Sequence, residues 1–216
     1  DAVVTISSDE AYWYRSINPT VVVIPPVFKC TVSAEESKNN GVLRVGFLGS
    51  AEWPPNAEAM DLLLTDILPK CQRKIKFVIA GRGWDVDLLT AKLQKKNAGN
   101  NVLVNYMNYV DNIADFWSSI DVFAAPVLSG AGVNVKVCEA LPNSRPVIAL
   151  PHAARGLADN LRQLIYTVAT PGEFASALTA FEPDQHKFAR PDNLKPGYAQ
   201  RVISELLDSI VRRSAE

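Results

Sequence analysis

Apolar and polar positions alternate in blocks through the middle of the chain, and the block lengths predict alternating strands and helices. Short apolar runs typical of buried strands recur between residues 43 and 170. Between them, apolar residues fall at helical spacing, as at residues 56–70 and 85–96. This pattern predicts an α/β fold with a Rossmann-like, doubly wound parallel sheet covered by helices on both faces. The predicted strands are residues 43–48, 75–80, 101–106, 120–125, 146–150 and 164–169.

Both ends of the chain depart from this regular alternation. The pattern of residues 1–24 predicts a strand, a helix beginning near Ser8 and a second strand. These three elements are too few to form a hydrophobic core alone. Residues 35–40 are polar enough for a linker, and residues 198–213 predict a last amphipathic helix. We therefore divide the chain into residues 1–40, a Rossmann-like domain at residues 41–193 and a C-terminal helix at residues 194–216.

The glycine-bearing loop after the fourth predicted strand is the strongest candidate for a functional site. It carries Gly130, Ala131 and Gly132 and leads into a helix whose apolar residues form one buried stripe. Lys136 and Glu139 fall on a different face of that helix. Unpaired N–H groups at a helix start attract phosphate, and a carboxylate further along can accept hydrogen bonds from ribose hydroxyls. The loop predicts a nucleotide site; the alternative is an ordinary turn with a lysine–glutamate surface pair.

Loops after the other predicted strands supply further candidates. Gly49 and Ser50 follow the first strand, where they could face a ligand. Arg82 follows the second strand and either reaches a phosphate or lies in solvent. Met107 and Tyr109 follow the third strand, where backbone groups and an aromatic ring could meet a base.

The turn after the first strand also argues against two nucleotide-binding classes. Residues 49–56 lack the three glycines of a dinucleotide fingerprint and the Gly-Lys-Ser/Thr of a P-loop, so neither an NAD enzyme nor a P-loop NTPase is favoured. In this turn we expect Asn56 to cap the next helix and Trp53 to pack on it. We expect Asp121 to cap a backbone. His152 could meet a sugar, but a lone loop histidine is more often structural or solvated, which is the role we favour.

Composition and charge narrow the function classes further. The 216 residues are 48% hydrophobic and 21% charged, which is ordinary for a globular protein, and the net charge of −1 gives no electrostatic case for nucleic acid or an anionic membrane. No apolar run approaches the length of a membrane span. Three widely spaced cysteines favour a reducing cytoplasm, and two histidines without nearby partners predict no metal site. Because the chain begins with Asp1, we expect a piece of a longer protein or a processed product.

Four segments together resemble a known family. In order, FLGSAEWPPNAEAMDLLLTDILP, FVIAGRG, SSIDVFAAPVLSGAGVNVKVCEALPNSRPVIA and ARGL resemble the C-terminal, donor-binding domain of GT-B fold glycosyltransferases of the retaining group 1 type. The resemblance covers roughly residues 41 to 170 and rests on the order and spacing of the segments. It implies one half of a GT-B fold. It also implies that residues 1–40 are a remnant of the N-terminal domain plus its hinge, and that the last helix crosses back to that domain.

The resemblance implies roles for individual positions. Glu139 matches the second glutamate of the family's Glu-x(seven)-Glu motif, which binds ribose hydroxyls. Gly132, Val133 and Asn134 match the loop whose amides approach the diphosphate. Residues 105–109 match the segment that meets the base. No metal or other cofactor is implied.

Three departures from the family pattern bear on function. Ala131 stands where the family has the first glutamate of its motif, which touches the donor sugar. The arginine and lysine that many members place after the first strand are absent from residues 49–56, and Pro142 and Ser144 replace a small residue and a glycine. We interpret Lys136 as the substitute for the missing positive charge.

The leading hypothesis is the donor-binding domain of a cytoplasmic retaining glycosyltransferase, either free or peripheral to a membrane in its full-length form. It would bind a UDP-sugar, a GDP-sugar or another nucleoside-diphosphate sugar, and it would be inactive without its N-terminal acceptor domain. The alternatives are a degenerate, non-catalytic binding module and another enzyme of the same fold, such as a nucleotide-sugar epimerase. No catalytic residue is assigned. The predicted donor site comprises Gly49, Ser50, Arg82, Met107, Tyr109, Gly130, Ala131, Gly132, Val133, Asn134, Lys136 and Glu139.

Overall fold

A computed structural model describes residues 2–32, 41–96, 98, 101–183, 200–205 and 208. The N-terminal segment contains β1 (Val3–Thr5), α1 (Ser8–Tyr14) and β2 (Val21–Val23). The main body follows with β3 (Leu43–Leu48), α2 (Pro54–Leu62), β4 (Ile75–Ala80), α3 (Val86–Lys95), β5 (Val102–Asn108) and α4 (Ile113–Ser118). It continues with β6 (Val122–Ala125), α5 (Val135–Ala140), β7 (Val147–Ala149), α6 (Asp159–Arg162), β8 (Ile165–Thr167) and α7 (Pro171–Ala180). A π-helical turn and a 3₁₀ turn extend α2 to Lys70, and another 3₁₀ turn spans Pro151–Ala154.

The main body is built on one six-stranded parallel sheet. Its strand order is β5-β4-β3-β6-β7-β8, so the order of the strands reverses between β3 and β6. The loops that follow these two strands therefore diverge and leave a crevice at the carboxyl edge of the sheet. All six predicted strands are present, and the predicted Rossmann-like α/β fold is confirmed.

Helices cover both faces of this sheet. Side chains such as Val45 and Phe77 pack with α2, α3 and α7 on one face. Side chains such as Val78 and Phe123 pack with α4, α5 and α6 on the other. Because both faces are buried, the strands are almost continuously apolar, which is why their short apolar runs were readable in the sequence.

Asp121 has the structural role that was predicted for it. Its carboxylate accepts hydrogen bonds from the backbone N of Arg44 at 2.8 Å and from the guanidinium Nε of Arg44 at 3.0 Å. The Asp121 carboxylate is buried, and it joins β3 to β6 at the amino edge of the sheet, opposite the crevice.

The N-terminal strands form a separate two-stranded parallel sheet. Hydrogen bonds connect this unit to the main body: the amide of Ser8 donates to the carbonyl of Gly156 at 3.0 Å and its hydroxyl to that of Leu157 at 3.3 Å. Val4 and Trp13 in this unit are more than half exposed. The predicted strand, helix and strand are all present.

Much of the predicted linker and last helix lies outside the described residues. Residues 200–205 and 208 are helical, in agreement with the predicted helix at 198–213 for that part. Within the described chain, no helix has the length and hydropathy needed to cross a membrane.

Candidate functional site

Hydrogen bonds connect the loops that follow β3 and β4. The amide of Gly49 donates to the carbonyl of Ala80 at 2.8 Å, and the amide of Ala51 donates to that of Arg82 at 2.9 Å. Nε1 of Trp84 donates to the carbonyl of Gly49 at 2.7 Å. These bonds fix the loop after β3, so that one wall of the crevice is rigid.

The loop between β6 and α5 presents backbone amides. Gly130 (φ +121°) and Gly132 (φ +74°) have backbone conformations that other residues rarely adopt. Among the described residues, the amides of Gly132, Val133 and Asn134 donate no hydrogen bond. Asn134 leads directly into α5, and its side chain makes no capping bond. The loop therefore offers three adjacent donor groups to a ligand.

A cavity of about 200 Å³ lies between this loop and the start of α2. The described residues contain no group of three or more histidine, cysteine or acidic side chains that could hold a metal ion. Six of the predicted site residues line the cavity, namely Gly130, Ala131, Gly132, Val133, Asn134 and Lys136.

Lys136 supplies positive charge to the cavity. Its Nζ donates to Oδ1 of Asn56 at 2.7 Å, and Nδ2 of Asn56 donates to the carbonyl of Ser50 at 2.8 Å. Asn56 is only 6% exposed. A Cβ at position 49 would lie 2.6 Å from Nδ2 of Asn56, which explains why a glycine is found there. Burial lowers the pKa of Lys136, because it removes water from the charged ammonium. The hydrogen-bond partner in the described part of the chain is a neutral amide, so no carboxylate there opposes this shift.

Two predictions for the start of α2 are wrong. Trp53, and not Asn56, is the N-cap residue of α2, and the amide of Asn56 donates to the carbonyl of Trp53 at 2.9 Å. The Trp53 side chain is 59% exposed and borders the cavity instead of packing on the helix. Pro54 and Pro55 account for the difference, since prolines at the first helical positions begin the helix before Asn56.

Glu139 lies one turn after Lys136 and is half-buried. Nε1 of Trp117 donates to its Oε1 at 3.4 Å. Burial raises the pKa of Glu139, and the hydrogen bond from Trp117 opposes that rise. Lys136 bonds to Asn56, so the lysine–glutamate surface pair considered as an alternative is not the arrangement found.

Three predicted site residues lie at the ends of β4 and β5, outside the cavity wall. The guanidinium carbon of Arg82 lies 4.3 Å from the centroid of the Tyr109 ring, a cation–π contact. Sδ of Met107 accepts from the hydroxyl of Ser119 at 3.8 Å. Arg82 therefore stacks on an aromatic side chain in this structure and does not enter the cavity.

Other cavity residues were not predicted as part of the site. The Ser129 hydroxyl donates to Oε2 of Glu58 at 2.6 Å, and Nε2 of His152 lies 3.0 Å from the carbonyl of Gly130. His152 thus has a structural contact with the glycine loop. Asn56 carried a usable signal, since it falls in the apolar stripe of α2, where a buried amide needs partners. Trp53 and Ser129 carried none.

Comparison with known proteins identifies the family to which the chain is similar. A family model described as glycosyl transferases group 1 matches residues 43–182, more than half of the chain. A search of curated proteins found no match.

Several solved structures share the fold. A glycosyltransferase from Rickettsia africae is 13% identical with a TM-score of 0.70, and the match covers 98% of this chain and 64% of that one. Anabaena HepE, solved with UDP and glucose, is 16% identical with a TM-score of 0.62, covering 96% and 63%. The lipopolysaccharide outer core galactosyltransferase WaaB, in its apo form, is 15% identical with a TM-score of 0.61, covering 97% and 62%.

The chain spans less than two thirds of the length of each of these proteins. At such identities the likeness shows the fold, and the six-stranded sheet corresponds to one Rossmann-like half of a GT-B fold.

Proposed function

Because the chain belongs to the group 1 glycosyl transferases, we propose that it is the donor-binding part of a retaining glycosyltransferase. In this proposal it binds a nucleoside-diphosphate sugar, UDP- or GDP-linked, at the crevice between β3 and β6. The observation that carries the proposal is the convergence of three amides without acceptors and the Lys136 ammonium on one cavity. Anabaena HepE, which has the same fold, has also been solved with UDP-glucose.

Lys136 and the glycine loop would hold the diphosphate. The ammonium is half-buried and hydrogen-bonded to a neutral amide, so an anionic ligand is the partner that would best stabilise its charge. The amides of Gly132, Val133 and Asn134 supply hydrogen bonds to phosphate oxygens without a metal ion.

Glu139 would bind the ribose. Its carboxylate follows the glycine loop by about two turns of chain, and the hydrogen bond from Trp117 orients it. An ionised carboxylate accepts hydrogen bonds from two adjacent hydroxyls, which is the arrangement that a ribose presents.

The base would lie toward the ends of β4 and β5. Met107 and the stacked pair of Arg82 and Tyr109 offer apolar, aromatic and cationic surface there. Gly49 and Ser50 would lie beside the phosphates, since Asn56 connects the carbonyl of Ser50 to Lys136.

The domain division remains part of the proposal. Residues 1–40 would belong to an N-terminal acceptor domain and its hinge, and residues 194–216 would form a helix that crosses back to it. The exposed Val4 on β1 and Trp13 on α1 support this, since apolar side chains of a small separate unit gain stability when covered. The described cysteines are free thiols, two of them buried, which supports a cytoplasmic location.

One observation favours the second candidate, a non-catalytic binding module. Ala131 lines the cavity where the family resemblance places a glutamate that touches the donor sugar. A module of this kind would keep nucleotide binding but would not transfer sugar after an acceptor domain is supplied.

Isothermal titration with UDP, GDP and ADP tests the proposed function. Lys136→Ala should weaken binding of the preferred nucleotide by about tenfold or more, because a charge-assisted hydrogen bond to phosphate is lost. Lys95→Ala is the matched control, since Lys95 is exposed on α3. Equal affinity of both variants, or no binding of any nucleotide to the parent chain, would contradict the proposal.

A further inference from the structure

Trp53 is an exposed aromatic side chain on a rigid backbone. Its indole is 59% exposed, yet its carbonyl accepts hydrogen bonds from the amides of Asn56 at 2.9 Å and Ala57 at 3.2 Å. Pro54 and Pro55 follow it directly and restrict the backbone. The contacts of the described residues do not require a tryptophan here, since the side chain caps nothing and lies outside both apolar cores.

The cavity beside Trp53 combines an aromatic wall with polar groups held in place. Ser129 lines it with a hydroxyl whose proton is donated to Glu58, so its oxygen presents acceptor lone pairs. His152 lines it with a ring fixed by the Gly130 carbonyl. Lys136 has two further ammonium protons besides the one donated to Asn56.

A pyranose ring fits this combination. One face of such a ring carries C–H groups, which stack on an aromatic side chain, while its hydroxyls need fixed donors and acceptors. The cavity of about 200 Å³ is smaller than the roughly 300 Å³ at which pockets for drug-sized ligands begin. It therefore suits a single ring next to the diphosphate, whereas the ribose and base of a nucleotide sugar would lie outside this cavity, toward Glu139 and the ends of β4 and β5.

We propose that Trp53 is the stacking platform of a sugar subsite, in which a pyranose ring lies between its indole and the glycine loop at Gly130–Gly132. For a donor sugar this inference rests on the proposed function, because a sugar joined to a diphosphate held by the loop must lie next to that loop. Ser129, His152 and Lys136 would contact the hydroxyls. Position 131 is an alanine and not the glutamate that the family resemblance places there. Stacking on Trp53 and hydrogen bonds from Ser129, His152 and Lys136 would replace the contact of that glutamate with the sugar.

The ring has two possible sources with the same chemistry, the sugar of the donor and a saccharide acceptor. Isothermal titration of the chain with UDP and with UDP-glucose, UDP-galactose and UDP-N-acetylglucosamine addresses the first. Titration of the chain with methyl α-D-glucoside, both without nucleotide and with UDP in excess, addresses the second and is followed through the indole N–H signals in NMR spectra. Trp53→Phe identifies the Trp53 signal.

The variants Trp53→Ala and Trp53→Phe separate stacking from other effects. Trp53→Ala should leave the affinity for UDP within about twofold of the parent and lower the affinity for the preferred UDP-sugar by about fivefold or more. Trp53→Phe should retain most of that affinity. Trp13→Ala is the matched control, because Trp13 is 61% exposed and lies on α1, away from the cavity.

The outcomes distinguish this inference from the proposed function. A Trp53→Ala effect confined to UDP-sugars supports a donor subsite, and a shift of the Trp53 signal by the glucoside supports an acceptor subsite. If UDP binds but Trp53→Ala changes no sugar affinity and no saccharide shifts the signal, the subsite is overturned while the proposed function stands. If no nucleotide binds but the glucoside shifts the signal, the subsite stands and the proposed function fails. If no nucleotide binds and the glucoside shifts no signal, the sugar subsite and the proposed function are both overturned.

Discussion

Asn56 shows how one buried amide organises the candidate site. Its Oδ1 accepts from Lys136 on α5 and its Nδ2 donates to Ser50 in the loop after β3, so it joins the two sides of the crevice. The glycine at position 49 is a consequence, because a Cβ there would collide with the amide. A neutral partner leaves the lysine charge available to a ligand, whereas a carboxylate would compete with phosphate.

Replacing this amide by a carboxylate tests that argument. Asn56→Asp should raise the pKa of Lys136, because an opposite charge favours the ammonium, and should weaken nucleotide binding by about tenfold. The substitution is nearly isosteric but removes the hydrogen bond from Nδ2 to the Ser50 carbonyl, so the variant should fold with a stability lower by about 1–3 kcal/mol. Affinity is measured by isothermal titration and folding by circular dichroism. Unchanged affinity in a folded variant would show that Lys136 does not meet the phosphates.

Glu139 provides a second test at the residue scale. Glu139→Ala should weaken nucleotide binding by about ten- to a hundredfold, because hydrogen bonds to an ionised carboxylate contribute roughly 1.5–3 kcal/mol. Glu139→Gln should lose less, since an amide oxygen still accepts. Glu10→Ala, at an exposed glutamate on α1, is the control for titration calorimetry. If the alanine variant binds nucleotide as tightly as the parent, Glu139 does not bind the nucleotide and serves only as a hydrogen-bond partner of Trp117.

At the scale of elements, the sequence predicted the six strands and the glycine loop of the cavity, but not the cavity residues at the start of α2. Strands buried on both faces are readable because each is a short apolar run, so all six were found within a few residues. The glycine loop was readable because glycines must mark its positive φ angles. The order β5-β4-β3-β6-β7-β8 was expected only at the level of a doubly wound sheet.

The misassigned residues depend on information that periodicity does not contain. Because two prolines occupy its first positions, α2 begins at Pro54, earlier than the predicted cap at Asn56. Asn56 therefore lies inside the helix, and Trp53 precedes it and lines the cavity. The bond between Asn56 and Lys136 joins residues 80 positions apart, which no local pattern reports. Arg82 was predicted either to reach a phosphate or to lie in solvent, and the structure places its guanidinium over the Tyr109 ring.

The glycine loop can be tested as an element by a matched pair of substitutions. Gly132→Ala should reduce stability by about 1 kcal/mol, because alanine disfavours its positive φ, and should also weaken nucleotide binding by displacing the amides. Gly41→Ala carries the same kind of strain at φ +81°, outside the site, and neither Cβ would meet an atom within 4 Å. Thermal unfolding should move similarly in both variants. Equal nucleotide affinity in the two would exclude the loop as the binding element.

At the scale of the whole molecule, binding of the donor and transfer of its sugar need different parts of the protein. Positioning of two reactants supplies roughly 7–11 kcal/mol of a barrier reduction, and the proposed acceptor domain would hold one of the two. The chain spans 62–64% of the length of the three solved structures compared above.

We therefore expect no sugar transfer by the 216-residue chain alone and transfer once an acceptor domain is supplied. Turnover is measured with radiolabelled nucleotide sugars and a panel of acceptors, and a Glu139→Ala chain serves as the background. Transfer by the chain alone, well above that background, would contradict this expectation. Binding without transfer after an acceptor domain is supplied would favour the non-catalytic module.

An NMR titration of the ¹⁵N-labelled chain with UDP, GDP and ADP shows directly whether a nucleoside diphosphate binds at the loop before α5, as we propose. At least one nucleotide should shift the amide signals of Gly132, Val133 and Asn134 most strongly, with smaller shifts at Glu139. The shifts should be saturable and lost in Lys136→Ala. Saturable shifts confined to other parts of the chain, or no shifts with any of the three nucleotides, would contradict the account.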